Sequence, residues 1–405
     1  MSPIRTLAGQ AWFDDPAVGA IYDLLDGAEG KARIVGGAVR NALIGMPVAD
    51  IDFATVHRPE SVMKRARKAG FKAIPTGIEH GTITIVAEGR PFEVTSLRRD
   101  IETDGRRAVV AFTEDWAEDA RRRDFTMNAL YLNADGTVFD PLGGLGDLEA
   151  RHVRFIGSAV DRIREDYLRI LRFFRMHAWY GVGPLDADGL KAVTAERAGL
   201  ARLSAERVGR ELLRLLAARD PRPALDAMAV AGILNDVLGL GGNREALAAL
   251  IAIENAQGLS PDAVLRLGVL ADSADLGERL RLSRAESGRI VALARAALPA
   301  DEKAMRRSIV DEGGDRALDL LLAAWARADV PPNDAALSGF LRLAREWEPP
   351  DFPVNGHDAH DAGITDGPST GRALAAARAA WIESGYAASR DELLAVIAAW
   401  KSEHA

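Results

Sequence analysis

Asp50 and Asp52 stand two residues apart in Ala49-Asp50-Ile51-Asp52-Phe53, a spacing that on a strand turns both carboxylates to one side. Hard oxygen ligands held close together suit Mg²⁺, and two on one face could bridge a pair of ions for phosphoryl transfer. Upstream, the apolar run Ala32 to Val35 leads into Gly36-Gly37 and then Ala38-Val39-Arg40-Asn41. Strand, glycine turn and helix start make a cradle for phosphate, with Arg40 beside it. Asp-x-Asp alone also describes a solvated turn; the Gly-Gly-x-x-Arg ahead of it gives the pair its weight. Glu93, between Phe92 and Val94, is either a third acidic group near the metals or an edge-strand glutamate facing water.

Two further clusters carry chemistry. Arg121-Arg122-Arg123-Asp124-Phe125-Thr126-Met127-Asn128-Ala129 sets arginines beside an aspartate. Guanidinium suits phosphate and carboxylate suits ribose hydroxyls, although a basic flank of a helix reads the same way. Glu165-Asp166-Tyr167-Leu168-Arg169-Ile170-Leu171-Arg172-Phe173-Phe174-Arg175 places Asp166, Arg169, Arg172 and Arg175 at spacing three. On one helix they form a polar stripe, in which an acceptor (Asp166) and a fork donor (Arg169) can hydrogen-bond the edge of a base. A salt-bridged exposed face is the plainer reading. Leu203-Ser204-Ala205-Glu206-Arg207 reads as a helix start with a structural role, and Asp140 to Asp147 as a glycine-rich turn. The seven histidines show no metal-ligand spacing, and His357-Asp358 lacks the partners of a phosphohydrolase site.

The elements that must position these groups divide the chain in two. Residues 1–155 read as mixed α/β with a small sheet: a helix near Pro16 to Leu25, strand, turn, helix and strand over 31–57, a basic helix over 59–69, then strands over 72–75, 80–87 and 91–96. Thr82-Ile83-Thr84-Ile85-Val86 alternates as a half-buried strand does. From Asp161 on, Ala/Leu/Arg-rich segments carry helical periodicity between Gly, Pro and Asp/Ser caps, the first running from Asp161 to Tyr180. The expected plan is α+β: a head (1–155), a helical neck (156–220), a helical body (221–347) and a helical tail (348–405), with Glu348 to Gly356 as a linker.

Composition sets limits. With 405 residues there is room for two to four domains, and 48% apolar residues allow sizeable cores. The absence of cysteine excludes disulfides and thiolate chemistry. No apolar run nears the ~20 residues of a membrane span, and Met1 to Arg5 lacks a signal-peptide core, so a soluble cytoplasmic protein is expected. Net charge is −8, but 44 of the 51 basic residues are arginine, the better bidentate phosphate ligand, and a local basic groove is compatible with that balance.

Taken together, the clusters resemble the class II tRNA nucleotidyltransferase and bacterial poly(A) polymerase family, within the polymerase-β-like nucleotidyltransferases. Gly36-Gly37-Ala38-Val39-Arg40 with Asp50 and Asp52 is similar to its metal and triphosphate motif. Arg122-Arg123-Asp124-Phe125-Thr126 with Asn128-Ala129 resembles its ribose-selecting motif, and Glu165-Asp166-Tyr167-Leu168-Arg169 the template that reads the incoming base. Leu203 to Arg207 resembles the motif that follows. The resemblance implies a polymerase-β-like head and a protein-templated polymerase in which a tRNA 3′-hydroxyl attacks the α-phosphate of CTP or ATP. It implies Mg²⁺ on Asp50 and Asp52, triphosphate on Gly36, Gly37, Arg40 and Arg123, and ribose on Asp124 and Asn128. The base would meet Asp166 and Arg169, with Arg172 and Arg175 in support. The helical half would bind the acceptor–TΨC arm of tRNA by shape and phosphate contact, and no protein partner is implied. Asn41 departs from the family's usual Asp. Thr103 to Phe112 resembles the flexible loop of full CCA-adding enzymes, and segments between Val354 and Leu374 resemble their tail, which favours CCA addition. The alternatives are poly(A) synthesis, partial CC or A addition, and a non-catalytic RNA-binding protein.

Overall fold

The computed structural model describes residues 5–104, 107–239, 242–271 and 273–404, with the side chains of 100–110 left aside. Asp15 caps α1 (Pro16–Leu24), accepting a hydrogen bond from the Ala17 N–H, and Pro16 takes the first helical position, where no N–H is needed. The apolar run forms β1 (Ala32–Val35), and the chain turns at Gly36 into α2 (Gly37–Leu43). Gly36 has φ 76° and ψ −119°, a backbone conformation that favours glycine. There follow β2 (Asp52–Thr55), α3 (Pro59–Lys68), β3 (Lys72–Gly77), β4 (Thr82–Ala87), β5 (Arg90–Ser96), β6 (Arg98–Asp104) and β7 (Arg107–Phe112). Then come α4 (Trp116–Arg121), β8 (Tyr131–Leu132), β9 (Val138–Phe139) and α5 (Gly144–Glu149).

Seven strands make one sheet in the order β3-β4-β5-β2-β1-β8-β9. β2 and β5 are parallel and the other neighbours antiparallel. Strands β6 and β7 form a separate ribbon. The expected loop Thr103 to Phe112 thus lies largely in paired strand; Gly105 and Arg106 at its centre are outside the described residues.

The helices continue with α6 (Ala159–Glu165), α7 (Leu168–Tyr180), α8 (Ala187–Ala195), α9 (Ala205–Leu216), α10 (Arg222–Val230) and α11 (Ile233–Leu238). The single helix expected from Asp161 to Tyr180 is two. Asp166 is extended (φ −154°, ψ 106°), and its Oδ1 accepts from the Leu168 N–H at 3.1 Å, a side-chain bond that competes with continuation of the helix. A stack of Phe125, Phe155 and Phe173, with centroids 4.8 and 5.4 Å apart in turn, binds α7 to the segment that carries Asp124.

The chain falls into two compact units, residues 1–242 with 278–282, and residues 243–277 with 283–405. Head and neck residues therefore share the first unit. After α12 (Arg244–Ala256), α13 (Ala263–Ala271) and α14 (Leu276–Arg279), the chain forms α15 (Arg284–Leu293), α16 (Glu302–Glu312), α17 (Gly314–Arg327) and α18 (Ala335–Glu346). Helices α19 (Gly356–Asp361), α20 (Gly367–Glu383) and α21 (Arg390–His404) complete it. The second unit has one core around Trp325 and another around Trp381. The expected linker contributes Phe352 and Val354 to the latter. Asp358 closes a capping box with Asn355 and pairs with Arg390, which gives the His357-Asp358 pair a structural use. Among the described residues, no helix is long and apolar enough to cross a membrane.

Candidate active site

A cleft of about 530 Å³ opens at the end of β1, β2 and β5. It is lined by Gly36, Gly37, Arg40, Asp52, Glu93, Arg123, Asp124, Asn128, Asp166, Arg169 and Arg172, eleven of the residues singled out in the sequence. Asp50 faces an adjoining groove, which shares Asp52 and Glu93 with the cleft. Arg175 is turned away from the cleft, its Nε 2.7 Å from Glu211 Oε2 on α9.

The acidic corner is built by sheet register. Asp52 opens β2 and lies opposite Glu93 of the parallel strand β5. Ile51 is buried between the exposed Asp50 and Asp52, so the two carboxylates share the open side. Asp52 keeps an open side, but the surrounding protein displaces enough water that desolvation, then Glu93 and Asp50, push its carboxyl up to about 6 despite Arg123. Among the described residues, none of the three carboxylates has an ion-pair or side-chain hydrogen-bond partner, so the corner carries negative charge without a counter-charge. Among the described residues, no three carboxylate or histidine side chains converge enough to cage an ion. The donor set fits a cation that takes one or two carboxylates and fills its remaining positions with water and phosphate oxygens, which is the habit of Mg²⁺. Glu93 adds field to that corner, and Asp50 and Asp52 are the candidate ligands.

The basic wall lies opposite. Arg122, Arg123, Arg169, Arg172 and Arg207 each pair with a carboxylate: Asp119 for the first two, then Glu165, Asp124 and Asp166. Arg40 differs. It is 8% exposed and its partners are neutral. Nε and Nη2 donate to Asn41 Oδ1 at 3.2 and 2.9 Å, Nη2 donates to the Tyr180 hydroxyl at 2.7 Å, and Nη1 donates to Asn128 Oδ1. Asn41 thus keeps the acceptor role of an aspartate without its charge. The Asp124 carboxylate acts on it through space, and one Nη1–H remains with which the guanidinium can meet an anion.

Asp124 has no such spare capacity. Its Oδ2 accepts Nε and Nη2 of Arg172, and its Oδ1 accepts Asn128 Nδ2 and the Phe125 N–H. Burial opposes its ionisation, but Arg172, Asn128 and Arg169 hold the carboxyl far below the usual range. Asp166 and Arg169 do have capacity. Asp166 Oδ2 accepts one bond from Arg207 Nη2 (2.6 Å) and Oδ1 one from the Leu168 N–H. Arg169 spends Nη1 on Glu165 and the Arg162 carbonyl and one Nη2–H on the Arg122 carbonyl, which leaves its Nε–H and the other Nη2–H.

Sequence reasoning missed Asp119, Tyr180 and, as a site residue, Arg207. Asp119 stands three and four residues before Arg122 and Arg123, the helical ion-pair spacing, and that was a legible signal. Thr82, Thr95 and Arg98 also line the cleft, and only the fold brings them there.

Residues 32–154 match the family described as Poly A polymerase head domain, and residues 185–238 the family described as Probable RNA and SrmB-binding site of polymerase A. The chain is 37% identical to the mitochondrial CCA tRNA nucleotidyltransferase 1 of Mus musculus over 382 residues, 91% of this chain and 86% of that protein. It is 40% identical to the CCA-adding enzyme of Geobacillus thermodenitrificans over 218 residues, 53% of this chain and 52% of that one. Among solved structures, the Bacillus stearothermophilus CCA-adding enzyme in complex with CTP superposes with a TM-score of 0.79 at 28% identity, covering 96% of this chain and 99% of that one. With the motifs in order, the cleft assembled from them and this likeness along most of its length, the chain belongs to the CCA-adding tRNA nucleotidyltransferase family.

Proposed function

We propose that the protein adds C, C and A to the 3′ end of tRNA from CTP and ATP, releasing pyrophosphate, with no nucleic-acid template. The family uses divalent metal; Asp50 and Asp52 would hold Mg²⁺, which would supply positive charge against the repulsion between a 3′-hydroxyl and the α-phosphate. The observation that carries the reading is one cleft with an acidic corner at Asp52 that no ion pair neutralises and a buried cation at Arg40 whose hydrogen-bond partners are all neutral. A nucleoside triphosphate bridges them: its phosphates take Arg40 and the Gly36-Gly37 turn, and its α-phosphate comes to Asp52. Arg123, anchored by Asp119, supports the phosphates.

Base choice follows from the spare groups on Asp166 and Arg169. The pairing edges of cytosine and adenine each offer an amino donor beside a ring-nitrogen acceptor. Asp166 accepts from the first and Arg169 donates to the second. Uracil and guanine present the opposite polarity and would face acceptor with acceptor. Asp124, saturated as it is, serves the ribose indirectly by holding Arg172 and Asn128 toward the nucleotide. The helical region, including residues 185–238, binds the acceptor–TΨC arm of tRNA, and the protein works in the cytoplasm, where that substrate is abundant. We keep the division into head, neck, body and tail as the working plan of those roles.

The test is incorporation of labelled CTP into tRNA lacking its terminal CCA. Asp52→Ala should abolish it, by at least about 10³-fold, while leaving the melting temperature near that of the parent. Incorporation unchanged in Asp52→Ala would overturn the metal assignment.

A further inference from the structure

Tyr180 belongs to none of the motifs, yet it closes a ring of side chains whose other four members line the cleft. The ring starts on α7 at Arg172, which pairs with Asp124. Asp124 accepts from Asn128, Asn128 accepts from Arg40, and Arg40 donates to the Tyr180 hydroxyl, back on α7. The Arg40 guanidinium carbon also lies 3.8 Å from the centroid of the Tyr180 ring. The phenol therefore holds Arg40 twice, by its π face and by its oxygen, and adds no negative charge to the cation. Arg172 and Tyr180 are eight residues apart, roughly 12 Å along the helix axis. One rigid helix thus presents Arg169 and Arg172 near its start and reaches Arg40 from its last turn.

We infer that Tyr180 is a positioning residue for nucleotidyl transfer, acting through Arg40 to fix the triphosphate seat at a set distance from the base-reading end of α7. This deepens, and rests on, the nucleotide reading of the cleft. The same helix thus carries a group for each end of the nucleotide, Arg169 near its start and Tyr180 at its end. Base choice and phosphate seating are one mechanical unit.

The experiment compares the full-length parent with Tyr180→Phe and Tyr180→Ala in binding of CTP, CMP and inorganic tripolyphosphate, each with Mg²⁺. Tyr180→Ala should weaken CTP and tripolyphosphate about 10-fold, the size of one hydrogen bond and one cation–π contact, and leave CMP within about twofold. Tyr180→Phe, which keeps the ring, should weaken them about threefold and decides the matter alone if the alanine variant does not fold. Equal loss for CTP and CMP, or no loss for either, would overturn the positioning role. A parent that binds tripolyphosphate but adds no nucleotide to tRNA would instead overturn the functional reading, and the tyrosine comparison would still decide its own question.

Discussion

Arg40 and Asp119 show how opposite electrostatic designs serve one cleft. Arg40 has no carboxylate among its hydrogen-bond partners and keeps one Nη1–H to offer. Asp119, 1% exposed, is crowded by two cations and a phenol: burial opposes its ionisation, but Arg123, Arg122 and the Tyr131 hydroxyl hold it at about 2. Since its folded pKa lies below the ordinary 3.8, the ionised carboxylate stabilises the fold above about pH 4, and that stability is lost as pH falls toward about 2. Asp119→Asn should lower unfolding free energy by about 3 kcal/mol at pH 7, the low end for a broken buried pair because both arginines keep some solvent. The gap between parent and variant should close between pH 4 and pH 2 in denaturant titrations. The residues that line the cleft were legible in the sequence because their chemistry is unusual at that spacing. Their holders, Asp119, Arg207 and Tyr180, look like ordinary charges and rings on amphipathic helices. Asp119 at least stands at helical spacing from its arginines, whereas Arg207 and Tyr180 acquire their role only from long-range contacts, 41 residues for Arg207 to Asp166 and 140 for Arg40 to Tyr180.

At the scale of elements, the glycine turn and the helix break do the positioning. An alanine Cβ at Gly36 would meet nothing closer than 3.7 Å, so space is available, but the φ of 76° makes any side chain there strained. Gly36→Ala should therefore cost about 1–3 kcal/mol of stability and reduce nucleotide addition by more than that strain alone explains, because the turn carries the phosphate seat. Thermal melting and kcat/KM for CTP measured on the same preparation check this. The strand–turn–helix was readable from the apolar run and the glycine pair. The break at Asp166 was not, since Ile163, Tyr167, Ile170 and Leu171 keep helical spacing through it. What ends α6 is a side chain that bonds the Leu168 N–H and is held by Arg207 from α9. The break frees Asp166 from a helix face and turns its carboxylate into the cleft, where a base edge can reach it.

Across the whole molecule, arginine does local work against a net charge of −8. Phosphate contact by a minority of those arginines should make tRNA affinity fall steeply with salt, by at least about 10-fold between 50 and 200 mM KCl, and a salt-independent affinity would contradict phosphate-led binding. The α+β plan with a helical remainder was visible in the switch of periodicity near residue 155. The grouping of head and neck in one compact unit was not, because it depends on the Phe125–Phe155–Phe173 stack and on ion pairs between segments far apart in the chain. The central claim is that this cleft itself serves as the template. The most direct measurement gives the purified protein a tRNA transcript ending at the base before CCA, with Mg²⁺, all four nucleotides and no other nucleic acid, and sequences the product ends. The account predicts C, C, A and then a stop. A long run of A, addition of U or G, or no extension at all would contradict it.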